Sequence, residues 1–205
     1  MATVGLAGLP IPGGGDAPAG PGALAALALA IDPHLILHVA DKAERDSLYA
    51  AAPLHTVVTA EDGSLWVKTS GSTSTWAAVY EPLPAWRPIT LRTGMVQGDV
   101  ALGVRRRQGT RVSLKGRVNK ADGTNLNDPN ALNLGAVPSD CIPSGLRTFP
   151  GTCSLGGPTV DAAGRIEVIG ANTSSAYGVA GDVLWWYQGT DGTPWVDISG
   201  DYWMD

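Results

Sequence analysis

Apolar positions change their period along the chain, and the changes predict its elements. Residues 23–31, ALAALALAI, carry no charge and set Leu24, Leu27 and Ile31 at the a, d and a positions of a heptad, the pattern of a short helix. So short a helix is unstable alone, so packing must support it, either on its own domain or between copies of the chain. Pro33 restricts Asp32 to extended conformations and is expected to end this helix. A helical period returns over 39–51, with Asp41 as N-cap and Glu44 at N3, the spacing of a capping box. After Pro53 the period drops to two. Val57-Val58-Thr59 and Leu65-Trp66-Val67-Lys68 flank the turn signal Asp62-Gly63, and residues 76–80 supply a third strand.

A proline-spaced linker over 82–85 follows. Beyond it, strand-like runs recur at 89–93, 100–106, 111–119, 131–136, 165–169, 182–188 and 195–199, punctuated by Gly-Asp, Asp-Gly and Asn-Asp-Pro turns, with no helical period between them. Such spacing predicts an antiparallel β-sandwich, jelly-roll-like in form. Residues 1–22 hold Pro and Gly in place of core-forming side chains and predict an extended arm that orders against a partner. The expected fold class is therefore mainly β. It comprises an attachment arm and short trimerisation helix over 1–32, a helix-plus-hairpin module over 33–81, the linker, and a sandwich head over 86–205.

Composition sharpens this picture. With 27 Gly, 15 Pro and only 16% charged residues, turns and extended segments should outweigh surface helices. The net charge of −5 arises wholly within residues 1–85, and residues 86–205 balance at eleven of each sign. That distribution carries no nucleic-acid footprint. The opening MATVGLAGLPIPGGGD lacks the basic region of a signal peptide, and the run 23–31 falls well short of the roughly 20 apolar residues that span a bilayer. The expectation is a protein made in the cytoplasm, without membrane insertion.

Candidate chemistry is sparse. His34, His38 and His55 are the only histidines, so a Ser-His-Asp or Cys-His arrangement in the C-terminal half would need a distant partner. His34 and His38 have a metal-ligand spacing if helical, and are read in preference as polar interface residues. Carboxylates are numerous enough in the C-terminal half that a glycosidase-like pair carries no information, and no β-helix repeat accompanies them. Asp122-Gly123-Thr124-Asn125-Leu126-Asn127-Asp128 gathers oxygen ligands without the alternating pattern of a calcium loop, and reads as a polar hairpin turn. No catalytic residue, metal site or cofactor is expected. Cys141 and Cys153 lie twelve positions apart, which leaves open two free thiols or one disulfide. Aromatic residues are the strongest clue, because indole and phenol faces stack on sugars while their polar tips form hydrogen bonds. Trp185, Trp186, Tyr187 and Trp195 are the candidate glycan contacts, with alternation placing Trp185 and Tyr187 on one face and Trp186 on the other. Arg106, within Arg105-Arg106-Arg107, reads either as an attraction for anionic wall polymers or as a solvated strand end.

Three stretches resemble tail fibre and minor tail proteins of phages infecting actinobacteria. Gly8-Leu9-Pro10-Ile11-Pro12, Asp16-Ala17-Pro18 and the helix ending at Ile31-Asp32 are similar to the leader of such proteins. VADKAERDSL at 39–48, with Asp62-Gly63-Ser64-Leu65-Trp66 and Trp76, resembles the helix-hairpin module of their shafts. VSLKGRV at 112–118 and IPSGLR at 142–147 resemble the strand-then-turn pattern of fibre heads, with Leu146 where an aromatic usually stands and Thr148 in place of proline. The resemblance implies a non-enzymatic homotrimer on the virion. Its N-terminal arm would join phage tail or baseplate proteins, and its distal domain would meet a bacterial surface glycan. The alternative is a purely structural baseplate or tail-tip protein, or the tail component of a phage-derived injection particle.

Overall fold

The computed structural model describes residues 2–4, 9–11, 20–107, 109–127, 130–154, 162–187 and 191–205. Most of the expected arm, Asp128 of the oxygen-rich turn and Gln188 at the end of a predicted strand lie outside the described residues. The chain divides into two units, Met1–Pro82 and Leu83–Asp205. The chain as a whole is mainly β, in largely antiparallel sheets.

In the first unit, β1 (Ala2–Val4) pairs antiparallel with β2 (Leu9–Ile11). The first helix, α1 (Gly20–Ile31), starts earlier than its apolar run, since Pro21 suits a first helical turn, where its missing N–H costs nothing. Pro33 does not force Asp32 into extended backbone. Instead the chain tightens into a 3-10 turn, Asp32–His34, and becomes extended only at Leu35. None of the α1 side chains is buried: Leu27 and Ile31 are half-covered, and Leu24 is 68% exposed.

A strand that the periodicity does not announce, β3 (Ile36–Val39), runs parallel to β4 (Val57–Ala60). Parallel neighbours need a crossover, and α2 (Lys42–Leu48) provides it. The α2 N-terminus is the expected box, shifted by one residue on one side. Asp41 Oδ1 accepts from Glu44 N at 2.9 Å, while Glu44 Oε2 accepts from Ala40 N. β5 (Leu65–Lys68) and β6 (Trp76–Tyr80) complete the sheet in the order β3-β4-β5-β6. Val39, Val58, Ala60 and Trp66 form its core. Two cations share that core. Arg45, 3% exposed, lies 4.6 Å from the Trp66 ring centre and 5.0 Å from that of Trp76. Lys68 is fully buried, and its ammonium donates to the Tyr49 and Ala50 carbonyls at the negative end of α2.

The second unit holds two antiparallel sheets. Their strands are β7 (Thr90–Leu91), β8 (Met95–Gln97), β9 (Gly103–Arg106), β10 (Arg111–Lys115), β11 (Arg117–Lys120), β12 (Leu132–Ala136), β13 (Arg147–Cys153), β14 (Ala163–Val168), β15 (Asp182–Trp186), β16 (Val196–Asp197) and β17 (Gly200–Trp203). The larger sheet has the order β7-β12-β15-β14-β13-β16-β11-β8, the smaller β17-β10-β9. The run expected as one strand over 111–119 is two strands in different sheets. Gly116, with φ +106°, makes the corner, and a Cβ there would stand 2.6 Å from the Ala101 carbonyl oxygen. The chain changes sheet again between β16 and β17, and the two corners are tied together: Ile198 N donates to Gly116 O, and Gly116 N to Ser199 Oγ.

Val104, Val112, Leu114 and Tyr202 of the smaller sheet share one core with Val118, Ile166, Val168, Val183, Trp185 and Val196 of the larger. β13 went unread because Pro150 and Gly151 argue against a strand interior. Its neighbour β16 pairs only with Thr152 and Cys153, so no ladder partner is lost at Pro150 on that side. Gly151 lies opposite Gly164, and both make room for Trp185; a Cβ on Gly151 would stand 2.8 Å from Trp185 Cζ3. Gly164→Ala is therefore expected to destabilise the protein by about 1–3 kcal/mol, the usual cost of overpacking, measured as a lowered urea midpoint. An unchanged midpoint would mean that the indole relocates freely.

Candidate functional site

Alternation along β15 sends Val183 and Trp185 inward, and Leu184 and Trp186 to the opposite face of the large sheet. There Leu184 packs with Ala131 and Ile169 under the edge of Trp186. Polar groups hold the Trp186 ring. Nε1 donates to Glu167 Oε2 at 2.7 Å, and the Arg165 guanidinium lies 4.9 Å from the ring centre while Nη2 pairs with Glu167 Oε1 at 2.9 Å. Tyr177 meets the ring edge-on at 5.1 Å. Tyr177 stands on a loop pinned by the buried Asp182, whose Oδ2 accepts from Asn133 Nδ2 and from Val179 N. The result is a half-exposed indole at fixed orientation, beside a phenol, a guanidinium and a carboxylate. This is an apolar platform with converging donors and acceptors, suited to a sugar ring.

The other candidate residues fall elsewhere. Trp185 is 1% exposed, so it is a core residue without a face for a ligand; its place as a glycan contact is corrected by that burial. Tyr187 stacks on it at 6.0 Å from the inner side. Trp195, ahead of β16, is half-buried with the Arg117 guanidinium 3.9 Å from its ring centre. Arg106 turns away from its two neighbours towards the 3-10 turn Ser139–Cys141. Of the aromatic candidates, the outward patch thus keeps Trp186 alone, and adds Arg165, Glu167 and Tyr177. The alternation Arg165-x-Glu167 on a predicted strand is a legible signal for the first two; a tyrosine in a loop offers none.

His34 closes the 3-10 turn and His38 sits on β3 with Nδ1 3.2 Å from Thr59 Oγ1, so the pair does not share a helix. Among the described residues no group of three or more His, Cys, Asp or Glu is placed to hold a metal ion. Asp122 accepts from the Thr124 hydroxyl and backbone N–H, which hold its carboxyl below the usual range, as in a side-chain-closed turn.

Of the two states the cysteine spacing leaves open, the structure has the free thiols. Cys141 and Cys153 are both buried thiols without a disulfide bond. Their surroundings differ: Cys141 sits on the 3-10 turn, where Arg87 Nη2 approaches its sulfur at 3.0 Å, while Cys153 is fixed opposite Val196 by strand pairing. Arg87 also forks both oxygens of Asp140 at 2.9 Å, and Tyr202 Oη donates to the Cys141 carbonyl at 2.6 Å. Burial, with Asp140 adding to it, pushes the Cys141 thiol up against the opposing pull of Arg87.

No family model matches the chain, and no curated protein matches it either.

Burial and a raised thiol pKa slow attack by alkylating agents. Iodoacetamide at about pH 8 is expected to leave Cys141 and Cys153 unlabelled in the native protein and to label both in guanidinium, read by intact mass. Rapid native labelling of Cys141 would contradict this packing.

Proposed function

We propose that this chain is a homotrimeric receptor-binding protein of a phage tail. Its N-terminal arm attaches to tail or baseplate proteins, and its second unit, read as a jelly-roll-like sandwich head, contacts a bacterial cell-surface glycan. The protein works on the virion and outside the cell in which it is assembled. It carries out no catalysis in this reading.

The observation that carries the reading is the Trp186 platform, whose fixed indole, guanidinium, carboxylate and phenol offer what a sugar needs and no activated nucleophile. The resemblance of 39–48 and 62–66 to fibre shaft modules adds the setting. The charge-free helix α1 supports the trimer. Apolar all round and with no side chain buried among the described residues, it suits the cover that three copies meeting at Leu24, Leu27 and Ile31 would supply. A purely structural tail-tip role is the second reading. It is favoured by the Arg117 guanidinium, which lies 3.9 Å from the Trp195 ring centre and occupies a face a ligand would use.

Light scattering is expected to give a mass about three times 21.1 kDa, and Leu24→Glu with Leu27→Glu to give a single-chain mass. A single-chain mass for the unaltered protein would sink the trimer. The full chain should bind purified actinobacterial walls saturably, and Trp186→Ala should weaken that binding about tenfold. A folded trimer that binds no wall preparation would transfer the assignment to the structural role.

A further inference from the structure

The outer face of the small sheet has a different chemistry from the rest of the protein. Val104, Val112, Leu114 and Tyr202 point into the core, so the alternate positions of β9, β10 and β17 point out. Register sets Arg105, Ser113 and Asp201 in one cross-strand row, and Arg111 beside Trp203 in the next. Lys115 and Arg107 extend the face at its two ends. Four cations thus meet Asp201, with Asp205 beyond the end of β17 held by the Thr110 hydroxyl, in a chain whose net charge is −5.

Those cations are held in place and largely uncompensated. Arg105 and Lys115 both approach the Trp86 ring, at 4.2 Å and 4.7 Å from its centre. Gly103 permits this packing: a Cβ there would lie 3.1 Å from Trp86 Cε3 and 3.2 Å from Lys115 Cε. Two like charges over one indole repel each other, and a neighbouring anion relieves that cost. Among the described residues no carboxylate pairs with Arg105, Arg107 or Lys115 within ion-pair distance, and Nε of Arg105 and of Arg107 has no hydrogen-bond partner. Only Arg111 is paired, with Asp201 at 2.7 Å. Trp203 is 57% exposed beside Arg111, so an apolar ring lies next to the positive field.

We propose that this face binds an anionic carbohydrate chain: phosphate or carboxylate groups of the chain pair with Arg105, Arg107 and Lys115, and a sugar ring packs on Trp203. The rings of this face favour a carbohydrate over a nucleic acid. Trp86 is covered by its two cations, which leaves no run of free rings for stacked bases. Arg106 takes no part, because it faces the 3-10 turn at Asp140. The site is separate from the Trp186 platform and stands whether or not the chain is a trimeric fibre, because a monomer that binds in this way fulfils it equally.

The test is titration of the full chain, by calorimetry at low salt, with phosphorylated dextran, polygalacturonate, unmodified dextran and a thymidine oligonucleotide of about 20 residues. At least one anionic sugar chain is expected to bind at least about tenfold tighter than unmodified dextran, and the complex to weaken as salt screens the face. Preference for phosphorylated dextran assigns phosphate as the ligand group; preference for polygalacturonate assigns carboxylate. Arg105→Glu with Lys115→Glu should reduce this binding at least about tenfold, and Trp203→Ala, at an exposed position, provides a second loss if the double variant does not fold. Equal affinity for charged and uncharged dextran, tighter binding of the oligonucleotide than of either anionic sugar, or a folded double variant that binds like the parent would each overturn the proposal.

Discussion

The second unit depends on covering both faces of β15. Its sequence Asp-Val-Leu-Trp-Trp leaves no residue free to face water on either side, so the sheet around it needs a core on each face. The inner face is met by the small sheet, which brings Val104, Val112, Leu114 and Tyr202 against Val183 and Trp185. Among the described residues of this unit the outer face receives no second sheet. It is closed by Ala131, Ile169 and the loop carrying Tyr177, which Asp182 anchors through the Val179 backbone. Trp186 is consequently neither core nor free surface. Its ring sits at the margin of a small secondary cluster, where polar partners can reach it and where part of it remains open.

Tryptophan and cation recur together throughout the chain. Trp66 and Trp76 hold Arg45, Trp86 holds Arg105 and Lys115, Trp186 holds Arg165, Trp195 holds Arg117 and Trp203 holds Arg111; only Trp185, inside the core, has no such partner. In the first unit the pairing is structural, because Arg45 and Lys68 are inaccessible and their charges meet ring faces, Asp46 and the end of α2. In the second unit the same pairing occurs at the surface. A guanidinium resting on an indole covers apolar area and also loses part of its hydration, so it binds an anion at lower desolvation cost. Neutral stacking on these rings would compete with the cations already present, whereas an anionic ligand uses them.

Local chemistry was readable from the sequence, and geometry across strands was not. The Asp41 and Glu44 cap follows from spacing alone and forms within one residue of its expected pattern. Hairpin β4-β5 and strand β6 follow from alternation around Asp62-Gly63. By contrast β3 was hidden, since Leu35-Ile36-Leu37 is too short a run of apolar residues to show a period of two, and parallel pairing with β4 leaves no local trace. Gly116 looks like an interior residue of a long strand because the close approach of Ala101 and Leu102, which leaves no room for a side chain there, lies outside any local window. The aromatic run 185–187 advertised a site, but the pleat splits it between two faces and gives its largest member, Trp185, to the core. Arg105-Arg106-Arg107 is split likewise, and only register with β10 shows which two of the three share a face with Lys115.

Charge segregation follows from the same pleat. Residues 86–205 are neutral in sum, yet the carboxylates Asp99, Asp140, Asp197 and Glu167 are each committed to an arginine outside the small sheet's outer face. Asp201 remains on that face. Burial there raises its pKa, but hydrogen bonds from Ser113 and Arg111 and the nearby charges of Arg111 and Arg107 outweigh burial, so it stays below the ordinary carboxylate value. It is therefore ionised across the neutral range, and its charge acts on both Arg111 and Arg107. A locally positive surface thus occurs on a domain without net charge, with four of its eleven carboxylates in ion pairs elsewhere, so average composition is a poor guide to what such a domain attracts.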